Sequence, residues 1–153
     1  MKLILSFFSI LLLVVSTGCN KDFQLSKDLD GIWEIEKIIT YKDDANTTTI
    51  TEGLGSLEFK KCNEKKDETC EFTYTNSDGE IYQHTYAVDN FDDIIGEVFI
   101  NANNETESNS SDDFSGNWRI QTLEDDDLMI EMASGNLMRY YDADKIEVFA
   151  NIK

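Results

Sequence analysis

Residues 29–39 read Leu-Asp-Gly-Ile-Trp-Glu-Ile-Glu-Lys-Ile-Ile, and this stretch decides the fold. Successive side chains of a β-strand point to opposite faces. One face of the segment then holds four apolar or aromatic side chains: Trp33, Ile35, Ile39 and Tyr41. Lys37 falls on this apolar face, which a β-bulge or the end of a strand would explain. The pattern predicts a first strand with one buried face and one face in water.

The same pattern returns late in the chain. The sequence Gly-Asn-Trp-Arg-Ile at residues 116–120 repeats the Gly, Trp and Ile of residues 31–35 at the same spacing. A glycine just before an aromatic strand start lets the chain turn tightly or pass close to another backbone. Each tryptophan is expected in the core.

Short alternating segments and turn residues fill the rest of the chain. Asp78-Gly79, between two alternating runs, is typical of a tight hairpin. Further strands are expected at residues 47–50 and 56–61 (one strand broken by Gly53-Leu54-Gly55), 70–75, 81–88, 94–101, 118–123, 128–132, 137–141 and 146–152. Because helix signals are few and closure removes exposed strand edges, we expect an all-β fold, an up-and-down antiparallel barrel of about eight to nine strands.

Two segments lack a strand pattern. Residues 20–28 are polar with scattered Phe23 and Leu25, and predict a tether or a single helical turn. Residues 103–113 contain no apolar side chain, which is typical of a mobile loop.

The opening motif Leu29-x-Gly31-x-Trp33, together with the spaced residues from Trp118 to Leu128, is similar to bacterial lipocalin-like lipoproteins. The resemblance covers residues 29–153. It implies a barrel that binds small hydrophobic molecules, with Gly31 and Trp33 closing one end. It also implies that Arg139 stacks over the Trp33 ring as a cation.

The N-terminus resembles a lipoprotein leader. Lys2 precedes an apolar run, and Ser16-Thr17-Gly18-Cys19 resembles a lipobox in which Ser16 replaces the more usual leucine. The alternative is an ordinary signal peptide with an incidental cysteine. We expect a signal peptide at residues 1–18, a tether at 19–28 lipidated on Cys19, and a barrel domain at 29–153. The lipid would hold the protein at the bacterial cell envelope, on the outer membrane, with the leaflet left open.

The chain of 153 residues has a formal net charge of −18. Such acidity argues against a nucleic-acid partner, which requires Lys and Arg patches, and against direct contact with anionic lipid headgroups. It also keeps a tethered domain soluble, and a monomer is expected.

Cys62 and Cys70 remain once Cys19 is assigned to lipid. They flank a polar segment between two strand patterns, and disulfides persist in exported proteins. We expect a disulfide that joins the ends of one hairpin, with free thiols as the alternative. Two cysteines without a nearby histidine supply too few ligands for a metal site.

The candidate ligand-lining side chains are those expected inside the barrel. They are Trp33, Phe72, Tyr74, Tyr82, His84, Tyr86 and Trp118. Apolar burial would provide most of the affinity, and the Tyr and His groups would orient a small hydrophobic ligand. For His84, the only histidine, a partly exposed or structural place in the core is favoured over a role in ligand binding.

Catalysis is not expected, since no serine or cysteine lies in a nucleophile context, and no cofactor is implied. The acidic runs at residues 124–127 and 142–144 lack the spacing of a calcium loop. A second function class stays open: a barrel that fills its own interior and binds a protein or glycan at the envelope. The expected partners are therefore a small hydrophobic molecule or an envelope protein.

Overall fold

The computed structural model describes residues 21–42, 46–62, 69–89, 96–102 and 111–153. The predictions that concern the leader, Cys19, Ile94 and residues 103–110 lie outside this part of the chain. The elements in order are α1 (Lys21–Leu29), β1 (Gly31–Lys42), β2 (Asn46–Ile50), β3 (Ser56–Phe59), β4 (Cys70–Thr75), β5 (Ile81–Asp89), β6 (Gly96–Ala102), β7 (Gly116–Glu124), β8 (Asp127–Gly135), α2 (Asn136–Tyr140) and β9 (Lys145–Ile152).

The strands form one antiparallel sheet that closes on itself. Its order is β2-β1-β3-β4-β5-β6-β7-β8-β9, and β9 returns to pair with β1. The closing register runs from Trp33 opposite Ile152 to Tyr41 opposite Lys145. Eight strands therefore make an up-and-down barrel, with β2 as an additional strand. The predicted fold class is confirmed.

A β-bulge in β1 changes which side chains face the core. The register with β9 shifts between Ile35 and Lys37. Before the shift Ile35 is buried as expected, but after it Ile38 and Thr40 are the buried residues. The prediction that Ile39 and Tyr41 point inward is wrong, because one extra residue inverts the alternation of everything that follows.

The predicted second strand is two strands along the same edge of β1. β3 pairs with the first residues of β1, Gly31 to Glu34, and β2 pairs with its last, Ile38 to Lys42. The chain crosses between them at Gly55, where a Cβ atom would overlap the carbonyl oxygen of Thr75. Glycine is required there because the two backbones touch.

Two expected segments take a different form. Residues 137–141, expected as a strand, lie largely in the short helix α2, in which the Tyr141 amide donates to the Leu137 carbonyl at 2.9 Å. Five residues, four of them apolar or aromatic, are too few to be assigned to helix or strand by periodicity. The expected tether is the nine-residue helix α1, whose Leu25 and Leu29 are buried. The folded unit thus includes α1.

The barrel has two distinguishable ends. β1 and β7 run in opposite directions, because an odd number of antiparallel pairings separates them. The α1 end is the end at which β1 begins, and a Cβ atom on Gly96 there would overlap Leu25 of α1. The α2 end is the end at which β7 begins and β8 passes into α2.

Candidate functional site: the barrel interior

The structure brings six of the seven predicted ligand-lining residues into the barrel core. Trp33, Phe72, Tyr74, His84, Tyr86 and Trp118 are buried, and Tyr82 is half-buried. Their strands supply these positions by alternation, and the role of these residues in binding a ligand stays a prediction. Whether the set binds a ligand depends on the space that its members leave.

Four rings from β3, β4 and β5 pack directly on one another. The ring centroids of Phe59 and Phe72 are 4.9 Å apart, and those of Phe59 and Tyr86 are 5.3 Å apart in an edge-to-face arrangement. Phe72 and His84, which are cross-strand partners, follow at 5.9 Å. These distances are those of touching rings.

A second row of rings extends to the α2 end. Tyr74 lies 4.5 Å from Phe114 and 6.0 Å from Tyr82, measured between centroids. Phe114 stacks on Trp118 at 5.7 Å, with an interplanar angle of 17°. Phe114 was absent from the predicted set because it follows the polar run at residues 103–113. The described part of the core is therefore filled by its own aromatic side chains.

The two tryptophans have the same local structure. The Trp33 indole donates to the Leu29 carbonyl, and the Trp118 indole donates to the Phe114 carbonyl, each at 2.9 Å. The glycine two residues before each tryptophan has a positive φ, 153° at Gly31 and 147° at Gly116. The sequence repeat is therefore a structural repeat. Because β1 and β7 are antiparallel, one copy lies at each end of the barrel.

The predicted stacking of Arg139 on Trp33 is not formed. Arg139 is exposed in α2, whereas Trp33 is buried near the α1 end, where it pairs with Ile152. The indole is covered from its own end of the barrel by Leu29 of α1. The short helix α2, unforeseen in the sequence, places the arginine at the wrong end for this contact.

His84 is buried without a hydrogen bond on either ring nitrogen. Burial lowers the pKa of His84, while the nearby Asp113 carboxylate and the Asn101 backbone act in the opposite direction. The ring is therefore neutral at neutral pH. A neutral histidine packed on Phe72 is a poor candidate for holding an anion.

The buried tyrosines keep their protons. The Tyr86 hydroxyl donates to the Lys60 carbonyl at 2.9 Å, and burial raises the pKa of Tyr86 and of Tyr74 above the usual range. Partial burial, with hydrogen bonds to Glu80 and Asp112, raises the pKa of Tyr82 to about 12. None of these hydroxyls is activated as a base or nucleophile.

A polar cluster at the α2 end escaped the sequence prediction. Asp113 is only 4% exposed, and its Oδ1 accepts from the Ser115 amide at 3.0 Å and from the Ser115 hydroxyl at 2.5 Å. Its Oδ2 accepts from the Asn136 side-chain amide at 2.6 Å. The cluster ties the start of β7 to α2. Its only sequence signal was the position of Asp113 just before Phe114 and the second Gly-x-Trp.

One cleft of about 220 Å³ is described, and it lies on the outside of the sheet. It lies along β4 and β5, and its lining combines polar side chains of the outer face with the inward Phe72 and His84: Lys60, Glu71, Phe72, Thr73, Gln83, His84 and Thr85. This volume is below that of typical small-molecule pockets.

Cys62 and Cys70 are bonded as a disulfide, as predicted, with a Cα–Cα distance of 5.1 Å. In the described ranges, no group of three His, Cys, Asp or Glu side chains is placed to hold a metal ion. None of the helices among the described residues has the length and apolar character needed to cross a bilayer.

Fold and core together define a class: a closed antiparallel barrel whose described interior is filled by aromatic side chains. Comparisons with protein-family models, curated proteins and solved structures found no match.

Proposed function

We propose that this protein is a lipid-anchored interaction module of the bacterial cell envelope, whose filled barrel binds another protein and does not carry a small molecule. The observation that carries the proposal is the contact between rings inside the barrel, at centroid distances of 4.5 to 6.0 Å. A carrier requires a cavity of roughly 300–1,000 Å³ lined by such residues. Here the residues predicted to line it cover one another.

The relation to lipocalin-like lipoproteins remains part of this proposal. It is supported by the closed up-and-down barrel and by the place of Gly31 and Trp33 at the start of β1. The missing contact between Arg139 and Trp33 counts against it. What such a barrel binds depends on its surface and core, because fold alone does not determine function.

The proposed anchor would also orient the barrel. Helix α1 begins at Lys21, two residues after Cys19, and packs on the end at which β1 starts. A lipid on Cys19 would therefore keep the α1 end near the bilayer, because two residues span only about 7 Å. The α2 end would face away from the membrane, where envelope proteins can reach it.

Native mass spectrometry of the full-length protein, purified in detergent from its own host, tests the absence of a carried ligand. We expect the mass of the lipidated chain without a small molecule. Phe72→Ala is a positive control, because removing a buried ring leaves a cavity that an apolar probe such as benzene can enter. A small molecule that leaves the wild-type protein on denaturation would refute the proposal and identify a carrier.

Fractionation of host cells tests the anchor. We expect Cys19→Ala to leave the membrane fraction, because it lacks the sulfur to which the lipid attaches. Ser16→Leu, which restores the residue more usual in a lipobox, is expected to remain there. Equal membrane association of wild type and Cys19→Ala would contradict lipid anchoring.

A further inference from the structure

The strand β2 stands apart from the closed barrel. It pairs only with β1 among the described residues, whereas the eight barrel strands each have a partner on both sides. Four of its five residues are exposed and Ile50 is half-buried. A short strand that buries so little is weakly held by its own hairpin.

No described strand reaches the outer edge of β2. β4 ends at Thr75, which is opposite Ser56, and Ser56 is in turn opposite Glu34 of β1. β2 lies farther along β1, opposite Ile38 to Lys42. Along the direction of β1, β4 therefore ends at the level of Glu34, before Ile38, where the pairing of β1 with β2 begins. Within the described ranges, the outer backbone N–H and C=O groups of β2 therefore have no strand partner and can accept an added strand.

The sequence of β2 does not protect this edge. Edge strands usually carry charged residues or proline that discourage pairing with other chains. β2 reads Asn-Thr-Thr-Thr-Ile, which has neither, although 29% of the chain is charged. Threonine and isoleucine also favour the extended conformation that strand pairing needs.

The negative charge of the chain indicates which charge a strand that pairs with β2 should carry. The formal net charge is −18, and Lys42, Lys60, Lys145, Lys153 and Arg119 are already paired with acidic side chains. Glu52, two residues after β2, is exposed. A second copy of so acidic a chain is repelled, whereas a basic segment is attracted.

We propose that the outer edge of β2 accepts an extended, basic segment of another protein as an additional strand. The inference rests on the proposed interaction function and names its surface and partner chemistry. Backbone hydrogen bonds to β2 supply the pairing, and flanking Lys or Arg residues of the partner are attracted by Glu52 and by the net negative charge of the chain. β2 lies beside the last residues of β1, toward the α2 end.

Hydrogen exchange on the full-length lipidated protein in detergent micelles tests the edge. The probe is a short synthetic peptide of alternating threonine and valine with lysines at both ends. We expect it to slow exchange of the outward amides in residues 46–50 by about tenfold or more. The same peptide with glutamates in place of lysines, or with alternate backbone nitrogens methylated, is expected to leave exchange unchanged. Equal protection by the methylated peptide, or none by the lysine peptide, would overturn the proposal.

Variants separate charge from backbone pairing. Glu52→Gln is expected to weaken peptide binding roughly twofold to fivefold. Glu124→Gln, an equal change of charge at the α1 end, is expected to have no effect. Adjacent strand residues direct their amides to opposite edges, so only one of Thr48 and Thr49 has its amide on the outer edge of β2. Proline at that position is expected to abolish peptide binding without changing the unfolding midpoint. Unchanged binding in both Thr48→Pro and Thr49→Pro would exclude strand addition at β2.

The outcomes also separate this inference from the function on which it rests. A protected β2 that appears without peptide and is lost on dilution would identify a second copy as the occupant and overturn the basic partner. A bare protein mass with no protection at β2 refutes only the assignment of this edge. A co-purified small molecule refutes the interaction function itself, whatever is seen at β2.

Discussion

Removal of the Cys62–Cys70 disulfide is expected to destabilise the barrel by an amount that follows from the loop it closes. The two cysteines are 8 residues apart in sequence and join the chain just after β3 to the first residue of β4. For a loop of this length, the chain-entropy model gives a loss of about 2.5 kcal/mol at 25 °C. In a domain of this size, that corresponds to a decrease of roughly 10 °C in Tm.

The assay is urea and thermal unfolding of the Cys62→Ala/Cys70→Ala double variant against the oxidised wild type. Reduced wild-type protein is the matched control, because it loses the bond but keeps the sulfur of Cys70, which is 7% exposed and part of the core. The reduced protein should lie close to the double variant. Equal stability of oxidised and reduced wild type would show that the loop is already restrained in the unfolded chain, and the entropic reasoning would fail.

Three further substitutions test the packing of the barrel, and Gly79→Ala serves as a control for one of them. His84→Phe is expected to gain about 1 kcal/mol in urea unfolding at pH 8, because it removes buried nitrogens without partners. Burial lowers the pKa of His84, so the unfolded chain binds the proton more readily than the folded one. The free energy of unfolding of the wild type should therefore decrease as the pH is lowered below 6.5, the ordinary pKa of histidine. The variant should lack this contribution to the pH dependence. A wild-type curve that is the same as that of the variant from pH 8 to pH 5 would refute this. Trp118→Phe leaves the Phe114 carbonyl without its donor and should cost about 2 kcal/mol in the same assay; a loss within error of zero would argue against the indole bond. Gly116→Ala is expected to cost about 2 kcal/mol or more, since φ is 147° and a Cβ would overlap the β8 backbone, whereas Gly79→Ala, at φ 82° in open space, should cost less; the reverse order by thermal unfolding would contradict the packing.

Alternation of side chains predicted most of the fold. The two Gly-x-Trp strand starts and the hairpin at Asp78-Gly79 were predicted from local residue types. The structure has strands that begin at Gly31 and Gly116, and β4 and β5 pair on either side of Asp78-Gly79. The error in β1 began at the bulge near Lys37. Periodicity detects that an extra residue is present, but the residues on either side do not determine where the register shifts.

The site was predictable only as a set of inward rings. The sequence places Tyr74 and Trp118 on buried faces, but whether they touch depends on the barrel radius and on Phe114, which enters from outside the strand pattern. Asp113 was assigned to a mobile polar loop because acidic residues are seldom buried. Its burial depends on Asn136, a partner 23 residues away, and single-sequence reasoning cannot supply such pairings.

The pairing of β1 with β9 has a kinetic consequence. It joins segments that are more than 100 residues apart, as Tyr41 and Lys145 illustrate. Such non-local pairing is slow to form, because the loop-closure entropy is lost before the contacts are gained. In the proposed export, β1 would leave the membrane long before β9, and one edge of the emerging chain would stay unsatisfied during that interval. We expect the barrel to fold slowly and, once it has closed, to unfold slowly.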